Sequence, residues 1–329
     1  MQDIFSEDEI EHLLKFQQED FPEMYRAAKD DNIILFLGAG LAKMYGCLLW
    51  DEMAKELSKV LRKNKIISYV EEDVLYRESQ NDPRKVISIC DSLCKDKEKR
   101  SIYVDTIKDA IKIKDEKNKS LKEIYELIFS INPKAYLTTN LDLGIKNYSF
   151  LHINPHQTIY NCTSPNAKED IKKFEYKIFK DSNIIYLHGN DENIESSILT
   201  VEKYLEFYTD KDRFLEGLFS EIGGGFIIFI GYGLKEWDVI EKIYKIYKSN
   251  ARSSKREVTG CLLSPISTRE IIKFNLEQSY YKSFGIQSIP YLIDDEGYDA
   301  LKRVLKNLRT ALDGSRLYTY DLFKEIEEI

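Results

Sequence analysis

The chain has 329 residues, 43% hydrophobic and 32% charged, and carries a net charge of −8. That much apolar sequence can build a large core, and the acidic balance argues against nucleic-acid binding as the main activity. The acidic, amphipathic stretch Met1 to Asp20 is no signal peptide, and the longest apolar run, Phe226 to Ile230, is too short to span a bilayer, so a soluble cytoplasmic protein is expected.

Residues 1–30 are predicted helical from the spacing of Ile10, Leu13, Leu14 and Phe16. Ile33 to Leu37 is an unbroken apolar run, the pattern of a buried parallel strand. It ends in Gly38-Ala39-Gly40, where glycines permit a sharp turn and the close approach of a phosphate. Trp50 to Leu61 has helical periodicity. Residues 65–130 are charged and helical, with Val86, Ile89, Cys90 and Leu93 on one face, and are expected to form an insertion between the first two strands. After Pro133, Ala135 to Thr138 is a second strand, and residues 150–183 look irregular and are expected to hold small strands or a lid-like segment. Ile184 to Leu187 is another strand. Val201 to Ile222 reads as a helix with an aromatic face of Tyr204, Phe207, Tyr208, Phe214 and Phe219. Phe226 to Ile230 is the strongest buried strand, followed by a helix from about Glu236 to Lys248. Val258 to Leu263 and Ile286 to Ile289 complete the strands. This alternation predicts an α/β fold, a Rossmann-like doubly wound parallel sheet with a helical insertion, as one domain over residues 1–329.

Four segments at strand ends carry candidate chemistry. The turn at Gly38 matches G-x-G-x-x-G only in part, because Lys43 occupies the sixth position, and it lacks the Gly-Lys-Ser/Thr of a P-loop. It fits either a phosphate cradle or a plain tight turn. In Thr138-Thr139-Asn140-Leu141-Asp142, Asn140 offers a donor and an acceptor for a ribose hydroxyl or a water. The same residues also suit a turn that caps the next helix. Of the four histidines, only His188 stands at a strand's carboxyl end, where it suits a general base or a structural role. Gly231-Tyr232-Gly233 is a second glycine turn. The five cysteines (Cys47, Cys90, Cys94, Cys162 and Cys261) are scattered like reduced thiols. Cys90 and Cys94 can share a helix face, but no second pair completes a zinc site, so no metal is expected.

In motif order, roughly residues 33–240 resemble the sirtuin-like family, and more closely its bacterial branch that cleaves NAD+ in antiphage defence. The resemblance rests on Gly38-Ala39-Gly40, Trp50, Thr139-Asn140-Leu141-Asp142, Leu187-His188-Gly189, the segment Thr200 to Tyr204, and Phe229-Ile230-Gly231-Tyr232-Gly233. Deacylating sirtuins carry a Gly-Ile-Pro-Asp-Phe-Arg loop and paired zinc cysteines. Here Gly46-Cys47-Leu48-Leu49-Trp50-Asp51 has no arginine, the zinc pairs are absent, and Ala42 replaces the family's serine. The resemblance implies an NAD+ glycohydrolase without a metal. His188 would be the general base, Asn140 would orient water and ribose, and Asp142 would help hold the ribose or cation. Gly38, Ala39, Gly40 and Ala42, with Trp50 and Thr139, would bind NAD+, its diphosphate held through backbone amides, and Gly231, Tyr232 and Gly233 would border the adenosine half. It further implies a homo-oligomer controlled by a partner in trans, such as a HerA-type ATPase or an Argonaute-like protein. The alternatives are a non-catalytic NAD+ or ADP-ribose sensor and, third, a protein deacylase or ADP-ribosyltransferase.

Overall fold

The computed structural model describes residues 6–114, 119–149, 156–164, 181–209, 218, 222, 225–233, 237–254 and 258–327. Helices α1 (Glu7–Leu13) and α2 (Pro22–Lys29) precede β1 (Ile33–Leu37), and α3 (Ala39–Met44) follows it. Then come α4 (Trp50–Lys63), α5 (Tyr69–Glu78), α6 (Pro83–Asp96), α7 (Arg100–Ile111) and α8 (Lys119–Ser130) before β2 (Ala135–Thr138). The remainder is α9 (Gly144–Ser149), β3 (Ile159–Asn161), β4 (Asn183–Tyr186), α10 (Val201–Thr209), β5 (Phe226–Ile230), α11 (Trp237–Ser254), β6 (Gly260–Ile266), α12 (Ile271–Lys282), β7 (Ile286–Leu292) and α13 (Ala300–Glu327).

The strands form one seven-stranded, wholly parallel sheet in the order β3-β4-β2-β1-β5-β6-β7. Apart from the edge strand β3, this is the doubly wound arrangement in which the chain builds outward from β1 on one side and from β5 on the other. Side chains alternate across the sheet. Ile33, Leu35 and Leu37 face a core shared with α1, α2, α8 and α13, whereas Ile34 and Phe36 face one shared with α11. Both faces of β1 are therefore dry, which is why its sequence is apolar throughout.

A third cluster joins α4, α5, α6 and α7 to Leu141, Ile194 and Leu199. The helical segment expected over 65–130 thus packs on the loops that leave β2 and β4, and roofs that end of the sheet.

Two expectations need correction. Residues 6–30 form two helices, because Phe16 adopts a left-handed φ of 50° and Pro22 starts a new helix. Strands β6 and β7 run past Pro265 and Pro290. Proline is tolerated there because β5 ends opposite Leu263 and β7 is an edge strand. Within 150–183, where small strands or a lid were expected, the described part contains the short strand β3, paired with β4. The rest of that segment, with Phe214 and Phe219 of the predicted long aromatic helix, lies outside the described residues. No helix among the described residues is long and apolar enough to cross a membrane.

Candidate active site

Strands β4, β2, β1 and β5 are neighbours and point the same way, so the segments leaving their carboxyl ends share one rim of the sheet. The winding reverses between β1 and β5, and ligands of open α/β sheets bind outside such a reversal. Here the two glycine turns abut, backbone to backbone. The Gly38 N–H donates to the Ile230 carbonyl at 2.9 Å, and the Gly40 N–H to the Gly231 carbonyl at 2.7 Å. Gly231 takes a left-handed φ of 64°, which only glycine adopts without strain.

This contact changes the roles expected of the turn. Two of the three amides assigned to a diphosphate are already committed to carbonyls. The Ala39 N–H, first in α3, is left without an intrahelical acceptor. Ala42 belongs to the core cluster that also holds Leu41 and Tyr45. The Tyr232 ring packs on Phe36, with centroids 4.6 Å apart, and is part of the sheet core. Gly233 beside it is exposed.

At β2, the Thr138 hydroxyl donates to the Leu37 carbonyl at 2.8 Å and accepts the Asn140 N–H at 2.9 Å. These bonds fix the bend that presents Asn140. Thr139 and Asn140 are nearly buried, and among the described residues the Asn140 carboxamide has no hydrogen-bond partner. The Asp142 carboxylate accepts the Gly144 N–H at 2.8 Å and so caps α9. Asp142 is 3% exposed, and burial, only partly offset by that bond, raises its pKa from 3.8 to about 6.

Thr138 is in register with Tyr186, so Asn140 and His188 each stand two residues beyond paired positions on adjacent strands. His188 is fully buried. Its Nε2 lies 2.8 Å from the Tyr208 hydroxyl, and Nδ1 has no partner among the described residues. The rings of Tyr204, Phe207 and Tyr208 on α10 stand edge-on around it. Burial, and secondarily the positive charge of Arg84, lower its pKa to about 3, so the imidazole is neutral at physiological pH.

The loop after His188 is tightly held. The Ile198 N–H donates to the His188 carbonyl at 2.8 Å, and Gly189 has a φ of 93° with Ser197 against it. The helical roof grips the same loop. Arg100 on α7 pairs with Glu195 at 2.6 Å and with buried Asp91 of α6, and the Val201 N–H donates to the Ser88 hydroxyl at 2.9 Å. Trp50, at the start of α4, reaches the site through Arg84, whose guanidinium lies 5.5 Å from the Trp50 ring and 3.7 Å from that of Tyr204.

Residues 134–289 match the family model of the SIR2-like domain. That stretch of the chain is similar to the SIR2-like domain. The match supports a sirtuin-like family and, with it, NAD-dependent activity in the broad sense, since SIR2-like domains bind NAD+. No curated protein matches the chain. The match spans Asn140, Asp142, His188 and Gly231 and leaves Trp50 and the Gly38 turn outside it. Among the residues unforeseen in sequence, Arg84, Arg100 and Ser88 lie in charged or polar helical stretches where nothing distinguishes them from a solvated face. Tyr204 and Tyr208 were visible only as part of an aromatic helix.

Proposed function

We propose that the SIR2-like domain hydrolyses the nicotinamide–ribose bond of NAD+. The observation that carries this reading is the placement of a buried, neutral imidazole and a carboxamide without a hydrogen-bond partner among the described residues, at equivalent positions beyond two adjacent parallel strands. Nicotinamide departs as a neutral ring and needs no proton, so the site has to stabilise an oxocarbenium-like sugar and deliver water to it. With Nε2–H donating to the Tyr208 oxygen, Nδ1 of His188 is free to accept a proton from a ribose hydroxyl or a water. Asn140 would hold the water and the ribose. Asp142 acts from its α9 cap, as a negative charge near the developing cation and as the anchor of the bend. The test is nicotinamide release by purified protein, with any regulatory partner supplied. Wild-type protein should consume NAD+, and Asn140→Ala should lose most of that rate. Binding of NAD+ with no nicotinamide released under any condition would favour the sensor reading.

The pH profile follows from the site's two titrating groups. His188 is neutral well below pH 6, so it cannot set an acid limb there. Asp142 can, because its carboxyl loses its proton only near pH 6. We expect kcat/KM to rise through about pH 6, and Asp142→Asn, which keeps the capping oxygen, to abolish that limb. The stability sign runs the other way. The folded state binds the Asp142 proton more tightly than the unfolded chain, so stability falls as pH rises between 3.8 and about 6. An unchanged limb in Asp142→Asn would remove this assignment.

The biological role we propose is NAD+ depletion in an infected cell, restrained at rest by self-assembly or by a partner in trans of the HerA-type ATPase kind. Exposed apolar side chains at helical spacing on α12 (Ile272, Leu276 and Tyr280) are a surface that self-assembly would cover. Light scattering that finds a fully active monomer would remove self-assembly from the proposal.

A further inference from the structure

Among the described residues, Arg84 is a cation at this site with no counter-charge. It is half-buried near the start of α6, and its guanidinium carbon lies over the Tyr204 ring, 3.7 Å from the centroid, with the Trp50 centroid at 5.5 Å. Among the described residues no carboxylate pairs with it and no carbonyl accepts from it. Other arginines of the same roof behave differently: Arg100 holds Glu195 and Asp91, and Arg62 holds Glu72. A partly desolvated cation without a counter-charge is costly to keep. Stacking immobilises the plane of the guanidinium while leaving the N–H donors on its edge unused. It is also close enough to His188 for its charge to be felt there.

The protein as a whole carries a net charge of −8 and would repel a dinucleotide, so a diphosphate needs a local cation to enter. The glycine turn does not supply enough, since the Gly38 and Gly40 amides are bonded to the Ile230 and Gly231 carbonyls. We propose that Arg84, held between Tyr204 and Trp50, is the anion-binding residue of the site and takes the diphosphate of the dinucleotide. This rests on the NAD+ reading above and adds to it the residue that recognises the charged centre of the substrate. A planar fork of N–H donors suits two oxygens of a phosphate better than an ammonium would.

The test compares ADP-ribose with adenosine, which lacks the phosphates, binding to the full chain by calorimetry. Arg84→Gln should weaken ADP-ribose by about tenfold to a hundredfold, the loss expected for a charge-assisted contact. It should leave adenosine affinity unchanged and reduce the salt dependence of ADP-ribose binding. Arg84→Lys, which keeps the charge without the fork, should fall between wild type and Arg84→Gln, and it carries the test if the glutamine variant does not fold. Equal weakening of both ligands, or undiminished ADP-ribose affinity in the folded variants, would overturn the role of Arg84 alone. Failure of the wild-type chain to bind ADP-ribose or NAD+ at all would overturn the dinucleotide reading, and this proposal with it.

Discussion

Replacing His188 with alanine should lower NAD+ turnover by about two to four decades, the range expected for a lost general base, while ADP-ribose still binds. The imidazole is fully buried at the end of β4, walled by Tyr204, Phe207 and Tyr208, and tied to the Tyr208 hydroxyl through one nitrogen. Nothing in that setting favours the imidazolium, so the basic form is present wherever the fold persists. The unfolded chain protonates this side chain near pH 6.5 and the folded one only near pH 3. Stability is therefore lost as pH falls through that window, and His188→Ala should remove this component of acid denaturation. Two readouts separate chemistry from packing. Nicotinamide release reports the catalytic loss, and the thermal midpoint reports the void left among the three rings. A purified His188→Ala protein that consumes NAD+ at the wild-type rate would end the general-base assignment.

Substituting alanine for Gly38 is expected to be strongly destabilising. A Cβ there would lie 2.5 Å from the Gly231 carbonyl oxygen and 2.5 Å from the Tyr232 Cα. Both are backbone atoms and cannot step aside as a side-chain tip can. Relief would require the ends of β1 and β5 to part, breaking the Gly38–Ile230 and Gly40–Gly231 hydrogen bonds and unpacking Tyr232 from Phe36. We expect a loss of upwards of about 3 kcal/mol, at the high end for overpacking. Gly314 provides the control. It lies within α13 with nothing within 4 Å of an added Cβ, so Gly314→Ala should stabilise the protein by about 0.5–1 kcal/mol. Urea denaturation of the two variants measures both effects. A Gly38→Ala protein with an unchanged midpoint would mean that the two turns do not meet as described.

The sequence was informative where the relevant physics is local. The apolar runs at Ile33, Ala135, Ile184 and Phe226 are strands, because a strand buried on both faces has no polar position to offer. The alternation of strand and helix implied a parallel sheet, and each candidate polar residue was found by its place just beyond a strand. Strand β3 falls in the segment where small strands or a lid were expected, but its short run, Ile159–Asn161, carries too few residues to show a period and so to be located.

What the chain alone determined, then, is the set of strands, the helical insertion and the residues at the strand ends. Tertiary structure decided what those residues touch. The Gly38 and Gly40 amides are taken by a turn nearly two hundred residues away, Ala42 and Tyr232 turn into the core, and Asp142 is drawn into a helix cap. Arg84 meets Tyr204, and His188 meets Tyr208, only because α6, α10 and the end of β4 converge. Backbone hydrogen bonds and burial depend on which distant segments become neighbours, and residue type and local spacing carry no record of that pairing.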